Sequence, residues 1–198
     1  QERDRRILLS TATEPGDAVT ASLVASLGTE ATVRAARGEA VPELAPWPVA
    51  SVNAWRKQVA PRLDETAVDR VLDACARSEL RVVVPGDADW PSGIDDLAAV
   101  PLALYVRGDA NLLARPLSAK AAVVGTTGGT GYGDFLAQQT VADLAAEGFT
   151  VVSGASVGIE AAAQRAALAA GGASIAVLAG GVDRRYPEEH QRLIDGIA

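Results

Sequence analysis

Three short, polar, glycine-rich segments hold the residues best suited to chemistry. They are Gly125-Thr126-Thr127-Gly128-Gly129-Thr130-Gly131, Ser153-Gly154-Ala155-Ser156-Val157-Gly158 and Gly180-Gly181-Val182-Asp183. Glycine lets an anion approach bare backbone, and a helix opening just after such a loop offers unpaired N–H groups and a partial positive charge. Thr126, Thr127, Ser153 and Ser156 would add hydroxyl donors, so the segments read together as a phosphate cradle. The competing explanation is that the glycines only permit tight turns between strands and helices.

Sharper nucleotide motifs fail when tested. A P-loop needs lysine after its second glycine; Gly128 and Gly133 have the spacing, but Asp134 stands in the lysine position. The dinucleotide fingerprint needs a third glycine where Leu136 stands, and the second strand ends in Ser153 rather than in a ribose-binding acid. NAD and ATP chemistry are therefore not expected, and no cofactor is assigned. Catalytic groups are equally sparse. His190, beside Glu188 and Glu189 in an amphipathic C-terminal helix, reads as a solvated surface histidine, and Cys75, on the apolar side of a helix, reads as core. One cysteine and one histidine exclude a disulfide framework, a Cys-rich metal site and a His-rich site. Asp183 and Glu160 near the loop edge could form a carboxylate pair, although capping and turn formation explain them as well. Trp47, Trp55 and Trp90 read as packing anchors. No catalytic residue and no metal ligand is assigned.

The elements that must position the loops follow from the apolar pattern. From Lys120 onward, strand and helix alternate: a strand at 121–124, the first glycine loop, a helix with Leu136, Val141, Leu144 and Ala145 inward, then a strand at 150–152. The second loop, a helix over 159–170 with an almost purely alanine apolar side, and a strand at 175–178 complete the series. Continuous apolar strands alternating with helices imply a parallel sheet covered on both faces, with ligands at the carboxyl ends of its strands. Upstream, 81–84 and 103–107 read as strands. Residues 1–63 read as short helices, with Gly28 and Gly38 at helix ends and Asp64 as the cap of a helix carrying Val68, Val71, Leu72 and Cys75. The reading is thus a helical domain over 1–63 and an α/β domain over 64–198.

Composition bounds the function. With 48% hydrophobic residues among 198, the chain has material for a core, so global disorder is excluded. A net charge of −7 argues against a generic binder of nucleic acid or anionic membrane; a polyanion would need a local basic patch or backbone donors. No run approaches the length of a membrane span and no signal-peptide pattern opens the chain, so the expectation is a cytoplasmic protein without a membrane partner. The sequence lacks methionine and the alternation stops after three strand–helix units, so an interrupted α/β domain is expected.

A series of segments in fixed order resembles a known family. It runs Pro85-Gly86-Asp87, Trp90-Pro91, Leu104-Tyr105-Val106-Arg107-Gly108, Ala122-Val123-Val124-Gly125-Thr126 and Tyr132-Gly133. It continues through Val151-Val152-Ser153-Gly154, Gly158-Ile159, Ala166-Ala167-Leu168, Ile175-Ala176-Val177-Leu178 and Gly181-Val182-Asp183-Arg184-Arg185-Tyr186-Pro187. Over about 64–198 this is similar to the DNA-processing protein A (DprA/Smf) family, and the helical first third fits that family's SAM-like N-terminal domain. The resemblance implies an α/β fold, an extended Rossmann-like parallel sheet preceded by a small helical SAM-like domain. It also implies a non-catalytic binder of single-stranded DNA that helps load RecA during natural transformation and forms a homodimer. Phosphates would lie across Gly125, Thr126, Thr127 and Gly128 and across Ser153, Gly154, Ser156 and Gly158, with Arg184 and Arg185 as nearby cations.

Departures from the family pattern bear on that expectation. Thr127 stands where arginine is typical, Val157 where a basic residue is frequent, Glu160 for Asp, Gln164 for His and His190 for Asn. Residues 120–198 carry five basic against eight acidic residues, a net −3. Losing two loop cations would remove roughly two phosphate contacts. Two other functions therefore stand beside the first: a DNA-silent relative acting as a protein-interaction scaffold, and an enzyme resembling the nucleotide phosphoribohydrolases. Gly128-Gly129-Thr130-Gly131 echoes the latter group's glycine motif without its proline or glutamate.

Overall fold

The structure is a computed structural model that describes residues 1–40, 47–183 and 190–198. The chain divides into two compact units, Gln1–Leu104 and Tyr105–Ala198.

The first unit is helical: α1 (Glu2–Ala12), α2 (Ala18–Ala36), α3 (Val49–Val59) and α4 (Thr66–Arg77), followed by the short strand β1 (Arg81–Val83). Asp17 accepts from the Thr20 amide at 2.6 Å and so caps α2. Gly28, at φ +79°, interrupts α2 where the sequence placed a helix end. The core gathers Leu23, Ala36, Val52, Trp55 and Val59, and the Trp55 indole N–H donates to Thr20 Oγ1 at 2.8 Å. Trp90 is likewise buried, its indole N–H donating to Asp95 at 2.9 Å, and Trp47 packs at the edge of the first cluster. The Arg3 guanidinium ties α1 to the segment after β1, donating to the Val82 carbonyl at 2.6 Å and to Asp87 at 2.7 Å. Val68 of α4 packs against Leu8, Leu9 and Val33. The contacts divide the chain at 104/105.

The division falls within β2 (Leu104–Val106). The second unit continues with α5 (Asn111–Ala114), β3 (Lys120–Ala122), α6 (Gly131–Ala146), β4 (Thr150–Ser153), α7 (Ile159–Ala169), β5 (Ser174–Ala176) and α8 (Gln191–Ile197). The strands β3, β4 and β5 form a parallel sheet in that order, with Ala121 opposite Val151 and Val152 opposite Ile175. Val123 and Val151 turn to one row of the pleat and pack with Val141 of α6 and Ala163, Ala166 and Ala167 of α7. The alanines let the two helices lie close on that row.

The opposite row carries Ala122, Val152 and Ile175 and extends to Val124 and Val177, which are 74% and 63% exposed. Among the described residues α6 and α7 both pack on the Val123–Val151 row. No helix among the described residues is long and apolar enough to cross a membrane.

Candidate functional site

Strands β3 and β4 run parallel, so their carboxyl ends deliver the first two glycine loops to one edge of the sheet. There the loops interlock. The Ile159 amide, opening α7, donates to the Thr126 carbonyl at 3.3 Å. A Cβ on Gly158 (φ +89°) would lie 2.4 Å from that oxygen and 2.8 Å from the Thr127 carbonyl. A Cβ on Gly125 would lie 2.6 Å from Ile159 Cβ. Both glycines are thus required for close approach, and Gly158 also for its backbone angle. Gly125, Thr126, Thr127 and Gly158 are brought together by this contact, with Thr126, Thr127 and Gly128 exposed.

The hydroxyls behave differently from one another. Ser153 shares the inward row with Val151 and is buried, and its Oγ donates to the Val123 carbonyl at 2.7 Å. Pleat alternation turns it beneath the loops, where it joins β3 to β4. Ser156 directs both its amide (3.2 Å) and its hydroxyl (2.6 Å) to Glu160 Oε2. That carboxylate oxygen lies 2.7 Å from where a Cβ on Gly154 would sit, so Glu160 folds back over the second loop. Thr126 Oγ1 accepts from the Gly128 amide at 3.1 Å, and Thr130 Oγ1 accepts from the Gly133 amide at 3.1 Å, capping α6.

Carboxylates meet both loops. Asp134 Oδ1, in the first turn of α6, is buried without a hydrogen-bond partner and lies 2.7 Å from the Cβ position of Gly129. Glu160 caps the second loop, and Asp183 Oδ1 lies 2.7 Å from the Cβ position of Gly181. Capping and turn formation therefore describe Glu160 and Asp183. Among the described residues no group of three His, Cys, Asp or Glu could hold a metal ion.

His190 departs from its expected place on the surface. It stands at the N-cap of α8, 5% exposed, with Nδ1 3.0 Å from the Ala155 carbonyl oxygen and Nε2 3.1 Å from an Arg165 guanidinium nitrogen. Ala155 itself takes φ +57°, an uncommon angle for a residue with a Cβ. Gln164, fully buried on α7, donates to the Ser153 carbonyl at 3.4 Å and to the Ile175 carbonyl at 3.1 Å, joining β4 to β5. Sequence reasoning passed over Arg165 because it is 25 positions from His190; its one legible signal was a cation in an otherwise alanine-rich helix.

Three other cations of this unit are engaged elsewhere. Arg115 donates to Thr150 Oγ1 and the Gly148 carbonyl, and Lys120 to the Leu113 carbonyl, all at the amino ends of β3 and β4. Burial, and then the neighbouring Arg115 charge, hold the Lys120 ammonium below its usual pKa. Arg107 pairs with Asp195 at 2.8 Å. Arg184 and Arg185 lie outside the described residues.

Residues 81–198 match the sequence profile of the family described as DNA recombination-mediator protein A. A putative DNA processing protein DprA of Mycobacterium tuberculosis is 38% identical over 202 aligned residues, covering 96% of this chain and 49% of that protein. The DNA processing protein DprA of Bacillus subtilis is 30% identical over 129 residues, covering 65% of this chain and 43% of its own length. The chain thus spans about half the length of the curated relatives it matches. The X-ray structure of DNA processing protein A from Streptococcus pneumoniae superposes with a TM-score of 0.67 at 22% identity, covering 100% of this chain and 64% of that one. That likeness gives a shared Rossmann-like α/β fold.

Proposed function

The chain belongs to the DNA recombination-mediator protein A family, and on that footing we propose that it binds the phosphate backbone of single-stranded DNA without cutting it. The observation that carries this reading is the interlock of Gly158 and Ile159 with the Thr126 and Thr127 carbonyls. It sets two glycine loops side by side at one sheet edge, with Thr126, Thr127 and Gly128 open to solvent. Strand phosphates would cross Gly125, Thr126, Thr127 and Gly128 and then Gly154, Ser156 and Gly158, with Arg184 and Arg185 as further cations. Loading of RecA and homodimerisation belong to the same proposal, as does the non-catalytic role.

Titration of a labelled single-stranded oligonucleotide between about 50 mM and about 200 mM salt tests it. The expected result is weak binding that falls with salt and leaves the strand intact. Absence of binding at the lowest salt, or cleavage of the oligonucleotide, would sink it.

A second reading, a DNA-silent scaffold, draws support from Asp134 and Glu160, which place negative charge against Gly129 and Gly154. Crosslinking to RecA in the absence of DNA, together with no oligonucleotide binding, is the result expected of that reading.

A further inference from the structure

We infer that Arg165, fixed by His190, is the cation that α7 presents to a phosphate at the second loop; this rests on the single-strand reading above. Its supports are the two contacts of a buried imidazole. A carbonyl oxygen only accepts, so His190 Nδ1 carries a hydrogen and donates it to the Ala155 oxygen at 3.0 Å. A guanidinium only donates, so His190 Nε2 is bare and accepts from Arg165 at 3.1 Å. Together they leave one neutral tautomer, clamped between the loop and α7.

The consequence is positional. Val157 supplies no charge to the loop, but Arg165 stands one imidazole away from Ala155. That separation is roughly 8 Å, about one Debye length at physiological ionic strength, so the charge of Arg165 reaches the second loop. Arg165 is exposed while His190 is buried, so the remaining N–H donors of the guanidinium are open to a ligand while its position is set from within. Arg165 is then the ligand-contacting residue and His190 a positioning residue.

Salt-dependent binding of single-stranded oligonucleotide to the whole chain provides the test, with Arg165→Gln, Arg165→Lys, His190→Asn and the Arg165→Gln/His190→Asn pair. Removing one phosphate contact should flatten the slope of log K against log salt by about 0.7 and weaken binding about threefold or more in Arg165→Gln. Arg165→Lys should keep the slope. Asparagine can still donate to Ala155 but does not reach Arg165, so His190→Asn should weaken binding about threefold, and the double variant should bind no more weakly than Arg165→Gln alone. An unchanged slope in Arg165→Gln, or losses that multiply in the double variant, would overturn the assignment while leaving the single-strand reading intact. Failure of the unaltered chain to bind at low salt removes the reading and the assignment with it. Should His190→Asn lose its helical circular dichroism, the slope of Arg165→Gln decides alone, because that side chain is exposed.

Discussion

Ser156 gives both of its donors to Glu160, so at this residue the loop's best anion-binding groups already face a carboxylate of the same chain. A phosphate arriving there must displace Glu160 or accept its repulsion. Glu160→Gln removes the charge while keeping an oxygen that can accept from Ser156. Binding of orthophosphate or single-stranded oligonucleotide should therefore tighten, by about threefold. The cost to folding should stay within about 1 kcal/mol, since a neutral acceptor replaces a charged one near a helix N-terminus. Isothermal titration paired with thermal melts reads both; equal or weaker binding in a folded Glu160→Gln would show that the carboxylate does not compete. The residue types of this site were legible in the sequence, but their directions were not. Thr126, Ser153 and Ser156 look alike as hydroxyls, yet the first is exposed, the second is turned inward by the pleat and the third is held by a side chain four positions on. His190 carried no mark of its burial, because its partners Ala155 and Arg165 are 35 and 25 positions away.

Elements set those directions. The alternation of β3, α6, β4, α7 and β5 could be read from continuous apolar runs, and the observed bounds fall within a few residues of it. Which row of the sheet the helices cover could not, since an apolar strand looks the same on both rows; Val124 and Val177 stay exposed because α6 and α7 share the other side. The join between elements gives a sharper prediction. Gly148 and Gly158 both have positive φ, but a Cβ on Gly148 would meet nothing within 4 Å, whereas one on Gly158 would strike two carbonyls. Gly148→Ala should cost only the left-handed strain, about 1–2 kcal/mol. Gly158→Ala adds a backbone overlap that only separation of the loops relieves, so it should cost visibly more and abolish oligonucleotide binding. Comparable melting temperatures and comparable binding for the two variants would mean that the interlock does not hold the site together. A neighbouring check on the core beneath is Val141→Ala, a fully buried contact of α6, which should cost about 2–3 kcal/mol in denaturant unfolding.

For the whole molecule, charge decides what kind of DNA binding the proposed site could give. A net −7 over the chain opposes any polyanion at long range, so affinity has to come from short-range backbone donors and a few cations at the sheet edge. Arg115, Lys120 and Arg107 are engaged away from the loops, which leaves Arg165, Arg184, Arg185 and Arg192 as the candidates. Four such contacts on a single strand give a slope of log K against log salt of about −3. The chain should therefore bind single strands weakly but keep a larger share of its affinity at moderate salt than a basic protein of similar size. The same oligonucleotide titration measures the slope directly. A value near about −3 or shallower agrees with a site made chiefly of loop backbone. A value steeper than about −4 would require more cations than these four and would move the DNA contacts to another surface, the arginine-rich helices of the first unit being the next place to look.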